Sequence, residues 1–259
     1  MDGTRENRRM RVPHSRRLSC DLLHFNRRVP LCGHDRESDL SAVAAARQHC
    51  STRISWAALF MKAYAVVARE IPQLRQTWHS FPWPHLYQHA HSTGIVTVQR
   101  HIDNEPWLFW GRIGHLDELP LTVIQQRIDR FTTEPCETIF RTQLQMARLP
   151  FPLRRFIWWW NLNVATRARA KRVGTFMLST LAGRGVSIQV PPSIHTGCLT
   201  YGPLNERHVS RITLAYDHRI MDGALVATAL CDLERVLNSQ LVEELQEQNR
   251  TASDASQAA

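Results

Sequence analysis

Lysine is almost missing from this 259-residue chain: of its 32 basic side chains, only Lys62 and Lys171 are lysines. Cysteine spacing of the C-x-x-C kind is absent too. Cys20, Cys32, Cys50, Cys136, Cys198 and Cys231 are scattered singly, which removes the simple zinc and dithiol motifs and implies no disulfide framework, so reduced thiols are expected. No run approaches the ~18 to 20 uninterrupted apolar residues of a membrane span, and the arginine-rich start has no apolar stretch of a secretory signal. Cytoplasmic residence is the simplest expectation. Internal repeats and Gly/Ser or Pro/Ala linkers are missing as well, so nothing marks an appended module.

What is present is an apolar fraction of 43%, enough to fill a sizeable core in one large or two small domains. The net charge of +9 suits nucleic acid, an anionic surface or a phosphorylated small molecule. Its basic residues are dispersed and none of the familiar nucleic-acid motifs occurs, so nucleic acid is not expected as a partner.

Residues 1–13 are charged and poor in apolar side chains and read as a disordered basic start; the tail 246–259 reads the same way. One continuous domain, 14–245, is expected between them. Apolar spacing predicts helices over 16–25, 39–50, 55–70, 120–131 and 224–237, with Ser55 as an N-cap and Pro72 ending the third. Strands are predicted over 94–98, 107–113, 174–181, 185–190, 197–201 and 209–216. Strands interrupted by helices imply an α/β layer fold.

The segment Asp217-His218-Arg219-Ile220-Met221-Asp222-Gly223 carries the chemistry. A strand delivers His218 to a turn, and an Asp-Gly pair opens the following helix. Imidazole suits the work of a general base because its unperturbed pKa of ~6.5 lies near working pH. Each residue also has a plain reading: His218 as a hydrogen-bonded turn residue, Asp222 as a helix N-cap, Gly223 as a site of close packing, and Ser179 as an ordinary strand serine.

The surrounding matches favour function. The heptapeptide has the H-x-x-x-D-G pattern, Gly174-Thr175-Phe176-Met177-Leu178-Ser179-Thr180-Leu181 is similar to a Gly-Thr-Phe-x-x-Ser-Asn-Leu strand, Arg53 to Leu74 resembles a characteristic helix ending in Arg-Glu-x-Pro-x-Leu, and Arg17 precedes Pro30 by the matching thirteen residues. Together these resemble the catalytic cores of the dihydrolipoyl acyltransferases of 2-oxo acid dehydrogenase complexes and, more distantly, chloramphenicol acetyltransferase. The resemblance implies a two-layer, chloramphenicol acetyltransferase-like α/β fold with a mixed sheet flanked by helices, a homotrimer, and coenzyme A or acyl-coenzyme A as cosubstrate.

It also implies roles. His218 would be the base and Ser179 the oxyanion donor, contributing roughly 3 kcal/mol to the barrier. Asp222 would pair with Arg17 to hold the turn, beside Gly223. Two departures bear on substrate identity: Thr180 stands where the family has asparagine, and 39 positions from Ser179 to His218 imply a shortened loop. Asp217 stands where condensation domains of peptide synthetases carry a second histidine, which argues against that branch. No lipoyl or subunit-binding domain fits ahead of Arg17, so the acyl group would come from acyl-coenzyme A, a small molecule, or a separate lipoyl or acyl carrier protein, and pass to an unknown acceptor. Alternatives are a chloramphenicol-type small-molecule O-acetyltransferase and a non-catalytic trimeric scaffold.

Two segments fall outside the resemblance. Residues 149–173 concentrate Arg154, Arg155, Trp158, Trp159, Trp160, Arg167, Arg169, Lys171 and Arg172. A helix packed on the core or a neighbouring subunit with arginines outside is the preferred reading; membrane contact by Trp158–Trp160 and an acyl-channel lid are the alternatives. Three adjacent tryptophans cannot share one helix face, so at least one should meet a partner, lipid or ligand. His85, His89 and His91 invite a metal, but no cysteine or acidic ligand lies nearby in sequence and the family uses none, so no metal is expected.

Overall fold

The computed structural model describes residue 7 and residues 9–257; most of the stretch 1–13 that reads as disordered from sequence therefore lies outside the described residues. α1 (His14–Asn26) buries Leu18, Leu22 and Phe25 on one face, the i, i+4, i+7 spacing of an amphipathic helix. β1 (Leu31–Asp39) and α2 (Ser41–Gln48) follow. In α3 (Trp56–Glu70) the Ser55 hydroxyl accepts the Ala58 N–H at 3.3 Å, capping the helix as the sequence predicts. The apolar stripe becomes burial all round, since Ala58 to Ala68 are all buried. That includes Lys62, whose ammonium donates to Leu119 O at 2.6 Å and pairs with Glu244 at 3.0 Å.

A short ribbon, β2 (Gln76–His79) with β3 (His85–Gln88), precedes the hairpin of β4 (Thr93–Ile102) and β5 (Glu105–Gly114). Asp103 and Asn104, at φ 51° and 62°, make its two-residue turn, whose left-handed pair matches strand twist. Helices α4 (Leu121–Thr133), α5 (Cys136–Ile139), α6 (Arg141–Arg148), α7 (Phe151–Asn163) and α8 (Thr166–Arg172) lead to β6 (Phe176–Leu178), β7 (Gly197–Tyr201) and β8 (Val209–Asp217). The chain ends in α9 (Gly223–Asn238) and α10 (Gln240–Gln257).

One six-stranded sheet, in the order β1-β8-β7-β6-β4-β5, organises these elements. β6 runs parallel to β4 and β7; the other pairings are antiparallel, so the sheet is mixed. Leu59, Phe60 and Tyr64 of α3 and Val226, Leu230 and Leu233 of α9 share the large core with Phe176, Leu199 and Leu214 on one sheet face. Ile95, Met177, Cys198 and Ala215 form the opposite face with Trp110.

Several expectations need correction. Strand 174–181 shrinks to Phe176–Leu178. Gly174 enters it at φ +100°, with no room for a Cβ against Ile95, and Thr180 leaves it by donating to Tyr201 O and accepting the Ala182 N–H, each at 3.0 Å. The predicted strand 185–190 is no strand apart from one bridge, Leu181 to Val186. Both edges of β7 are already taken by β6 and β8, so the segment crosses over the sheet, with Thr200 donating to Ile188 O at 2.7 Å. The polar β1, which no predicted strand covers, pairs along all nine residues with β8, an edge strand carrying charge on its outer side. The tail expected to be disordered from 246 continues as α10 through Gln257, anchored by buried Leu241 and Leu245.

The Arg/Trp-rich segment is helical, but its arginines are not all outside. Arg154 is buried in an ion pair with fully buried Asp21, which Arg155 also contacts at 2.8 Å. The three tryptophans separate: Trp158 packs on Phe25, Trp159 on Phe81, and Trp160 remains 43% exposed. Among the described residues, no helix is long and apolar enough to cross a membrane.

Candidate active site

β8 is buried almost throughout because its alternate residues serve both sheet faces. It ends at Asp217, and the next five residues, His218 to Asp222, turn sharply into α9. Asp217 holds that turn together. Its main-chain oxygen accepts the N–H groups of Ile220 and Met221, and its carboxylate accepts the Arg219 N–H at 3.1 Å and the Arg219 guanidinium twice, at 2.8 and 2.6 Å. Arg219 also lies 5.0 Å over the Trp78 ring. With Met221 buried beneath, the turn has little freedom.

His218 is the residue this turn presents. Its N–H donates to Pro30 O at 3.0 Å, which ties the turn to the α1–β1 connection, while 44% of its side chain is exposed. Nδ1 lies 3.5 Å from Asp222 Oδ1. Behind the ring is Tyr216, fully buried, its hydroxyl pushed upward in pKa chiefly by burial and without a hydrogen-bond partner among the described residues. His34 stacks on Tyr216 and closes against Gly223, where an added Cβ would sit 3.2 Å from His34 Nε2. A side chain there would require His34 to shift by a few tenths of an ångström.

The expected support by Arg17 fails. Asp222 sits at the N-cap position of α9 without capping it through its side chain, which is 87% exposed and turned toward His218. Arg17 is carried away by α1 and donates to Ala147 O at 3.3 Å. Asp217, not Asp222, is the carboxylate that braces the turn, and its arginine is Arg219.

Ser179 follows β6. Its N–H donates to Leu199 O at 3.1 Å, and the Thr97 hydroxyl donates toward its oxygen at 3.5 Å. Strand register fixes its distance from His218. Phe176, Gly197 and Tyr216 form one row of the sheet, and Leu178, Leu199 and Leu214 another two residues along. Ser179 continues past the second row and His218 lies two residues beyond the first. Five rows at ~3.3 Å and two strand spacings of ~4.8 Å place their main chains roughly 19 Å apart. One chain therefore does not bring the two together.

A cavity of about 220 Å³ adjoins the His218 turn, and Arg28, Arg169, Arg219, Trp78, Ser80 and Asn163 are among its walls. Sequence spacing gave no hint of this convergence; only Arg219 lies in the motif. Arg169 is buried, donating to Trp78 O, Leu162 O and Ile194 O, with Nε unpartnered among the described residues. Its pKa is lowered to about 10, chiefly by burial, with Asp217 opposing the shift and Arg219 adding to it, so it stays charged at neutral pH. Three guanidinium groups against the single Asp217 carboxylate make a pocket suited to an anion. Ile194 also walls a second, largely apolar cavity of about 140 Å³ lined by Leu18, Ile95, Phe140, Met146 and Trp158.

Other histidines nearby are structural. His79 and His89 share the Thr77 hydroxyl at 3.0 Å each, and burial brings their pKa values down to about 3 and 4. His195 bridges Ser193 and Val173 O, likewise held near 4 by burial. All three are neutral at physiological pH.

No family model and no curated protein matches the sequence. Solved structures do. A probable dihydrolipoamide acetyltransferase of Listeria monocytogenes superposes with a TM-score of 0.66 at 16% identity, covering 92% of this chain and 95% of that one. The dihydrolipoamide acetyltransferase of Azotobacter vinelandii gives 0.65 at 15% over 92% and 95%, and a truncated catalytic core of the 2-oxoacid dehydrogenase complex of Thermoplasma acidophilum gives 0.65 at 14% over 90% and 99%. The chain has the fold of these catalytic cores. At such identities the likeness is one of fold, and it meets the expectation of a mixed sheet flanked by helices.

Proposed function

We propose that the chain is a coenzyme A-dependent acyltransferase with His218 as its general base. The observation that carries this reading is the presentation of His218: a half-exposed imidazole on a braced turn, Nδ1 toward a carboxylate, beside a basic cavity. With Nδ1 facing Asp222, Nε2 is left to take the proton of an acceptor thiol or hydroxyl as its heteroatom attacks the thioester carbonyl. The oxyanion that forms is stabilised by the Ser179 hydroxyl; collapse expels the coenzyme A thiolate, and the imidazolium returns the proton to it. Asp222, exposed as it is, orients the imidazole. The cavity of Arg28, Arg169 and Arg219 suits an anionic substrate such as coenzyme A.

Because Ser179 and His218 of one chain stand roughly 19 Å apart by register, the serine serving each His218 comes from a neighbouring subunit of a homotrimer. Free acyl-coenzyme A or a separate lipoyl or acyl carrier protein supplies the acyl group. The test is coenzyme A release from a panel of acyl-coenzyme A thioesters, with thiol and alcohol acceptors in turn. Turnover dependent on His218 supports the proposal; release only with a small alcohol favours the chloramphenicol-type alternative, and none with any pair favours a non-catalytic scaffold.

A further inference from the structure

The β4–β5 hairpin has a second cluster of titratable groups at its open end. Thr93 and Gly114 form its last rung; His91 lies just before it and His115 just after. His115 adopts left-handed backbone, φ 57°, and its carbonyl accepts the N–H groups of both Glu118 and Leu119. That tight turn folds Asp117 and Glu118 back toward the two histidines. The imidazole rings of His91 and His115 are 4.3 Å apart between centroids.

The distances are those of ligands around an ion more than those of hydrogen bonds. His91 Nδ1 is 3.5 Å from Glu118 Oε1 and 3.8 Å from Asp117 Oδ2, and His115 Nδ1 is 3.4 Å from Glu118 Oε2. Tetrahedral zinc with bonds of ~2.0 to 2.1 Å has ligand atoms about 3.4 Å from one another, whereas an N–H···O bond to a carboxylate falls near ~2.8 Å. One ligand atom from each of His91, His115 and Glu118 can be chosen so that all lie within 4.8 Å of one another. His91 Nδ1 and Asp117 Oδ1 are both hidden from solvent without a hydrogen-bond partner among the described residues. The Asp117 side chain is only 7% exposed, and its Oδ2 lies 3.8 Å from His91 Nδ1. A buried carboxylate so poorly compensated is costly. A cation held by His91, His115 and Glu118 would sit beside this carboxylate and offset that cost.

We propose that His91, His115 and Glu118 form a structural site for a divalent transition ion of the zinc class, with the fourth position left to water and Asp117 beside His91. Two imidazoles select against Mg2+ and Ca2+, which take oxygen ligands, while imidazole and carboxylate together suit zinc or cobalt. The sequence hides the site because its acidic ligand lies more than twenty residues from His91, beyond both strands of the hairpin. Such an ion would staple the open end of the hairpin, adjacent to the β6 strand that leads to Ser179, without taking part in acyl transfer.

Calorimetric titration of the chelator-treated full-length protein with Zn2+ tests this, with Co2+ as an optical probe of tetrahedral coordination and thermal melting as a second readout. One ion per chain, bound at micromolar or lower concentration, with tetrahedral Co2+ absorption, is expected. His115→Ala and Glu118→Gln alter exposed side chains and so leave the fold intact; each should weaken binding at least tenfold and abolish the metal-induced rise in melting temperature. His101→Ala, an exposed histidine outside the cluster, should change neither. Binding absent at micromolar concentrations, or undiminished in both His115→Ala and Glu118→Gln, would overturn the proposal and leave a set of groups held together by protons alone.

Discussion

The two ends of the β6–β7–β8 ladder are built differently. At the His218 end, the turn is braced within its own chain: the Asp217 carboxylate pairs with Arg219, and the His218 main-chain N–H donates to Pro30 O. At the Ser179 end, a three-residue strand hands over to a 3-10 turn, Ala182–Arg184, and a loop in which Leu181, Val186 and Val190 are all more than 40% exposed. A base needs a fixed ring and can be placed by one chain. An oxyanion donor that works on another subunit's substrate needs only a rigid strand and an open side. The difference fits a site assembled between copies.

Breaking the first end should have the largest effect. His218→Ala would remove the proposed base and little packing beyond the ring contact with Tyr216, so acyl transfer should fall by 10² to 10⁴-fold with little change in melting temperature, measured as coenzyme A release at saturating substrate. Turnover like the wild type in folded protein would remove His218 from the chemistry.

Next in size is the brace. Asp217→Asn strands the partly buried Arg219 guanidinium, and breaking such a pair costs about 3 to 5 kcal/mol when fully buried, less here because 28% of Arg219 is exposed. Denaturant unfolding should show a loss of about 2 kcal/mol or more, with activity falling as the turn loosens. Arg17→Ala and Asp222→Asn should behave otherwise, each staying within about 0.5 kcal/mol and adding without coupling. Non-additivity above about 0.5 kcal/mol in that double-mutant cycle would restore the Arg17–Asp222 contact.

At the second end the expected effect is confined to rate. Ser179→Ala should lower kcat by ~10² with KM little changed, since its hydroxyl matters when charge develops. A smaller effect, a several-fold rise in KM for acyl-coenzyme A with kcat held, is expected of Arg28→Ala in the basic cavity. An unchanged KM at low salt would take Arg28 out of substrate binding.

How much of this the sequence revealed follows from where the determinants lie. α3, α9, β7 and β8 carry their own apolar patterns and were legible to within a residue or two, as was Ser55 as a cap. β1 was not, because its exposed face is charged and its pairing with β8 is a tertiary fact. Residues 185–190 have strand propensity but no free sheet edge to join. The end of α10 is polar, and what holds it, Leu241 and Leu245, precedes it in the chain. In the site, His218, Ser179 and Gly223 stood out through local motifs. The brace did not, since the family resemblance implied Arg17 with Asp222 while the turn brings Arg219 back onto Asp217. Arg28 and Arg169 are 141 positions apart and meet only once α1 and α8 have packed.

In the proposed mechanism His218 and Ser179 serve one another across a subunit boundary. Mixing two inactive proteins, His218→Ala and Ser179→Ala, under conditions of demonstrated subunit exchange tests it most directly. Shared sites would regenerate intact pairs of His218 and Ser179, so a substantial fraction of wild-type activity should return in the mixture; no recovery despite proven exchange, or full activity in a sedimenting monomer, would contradict it.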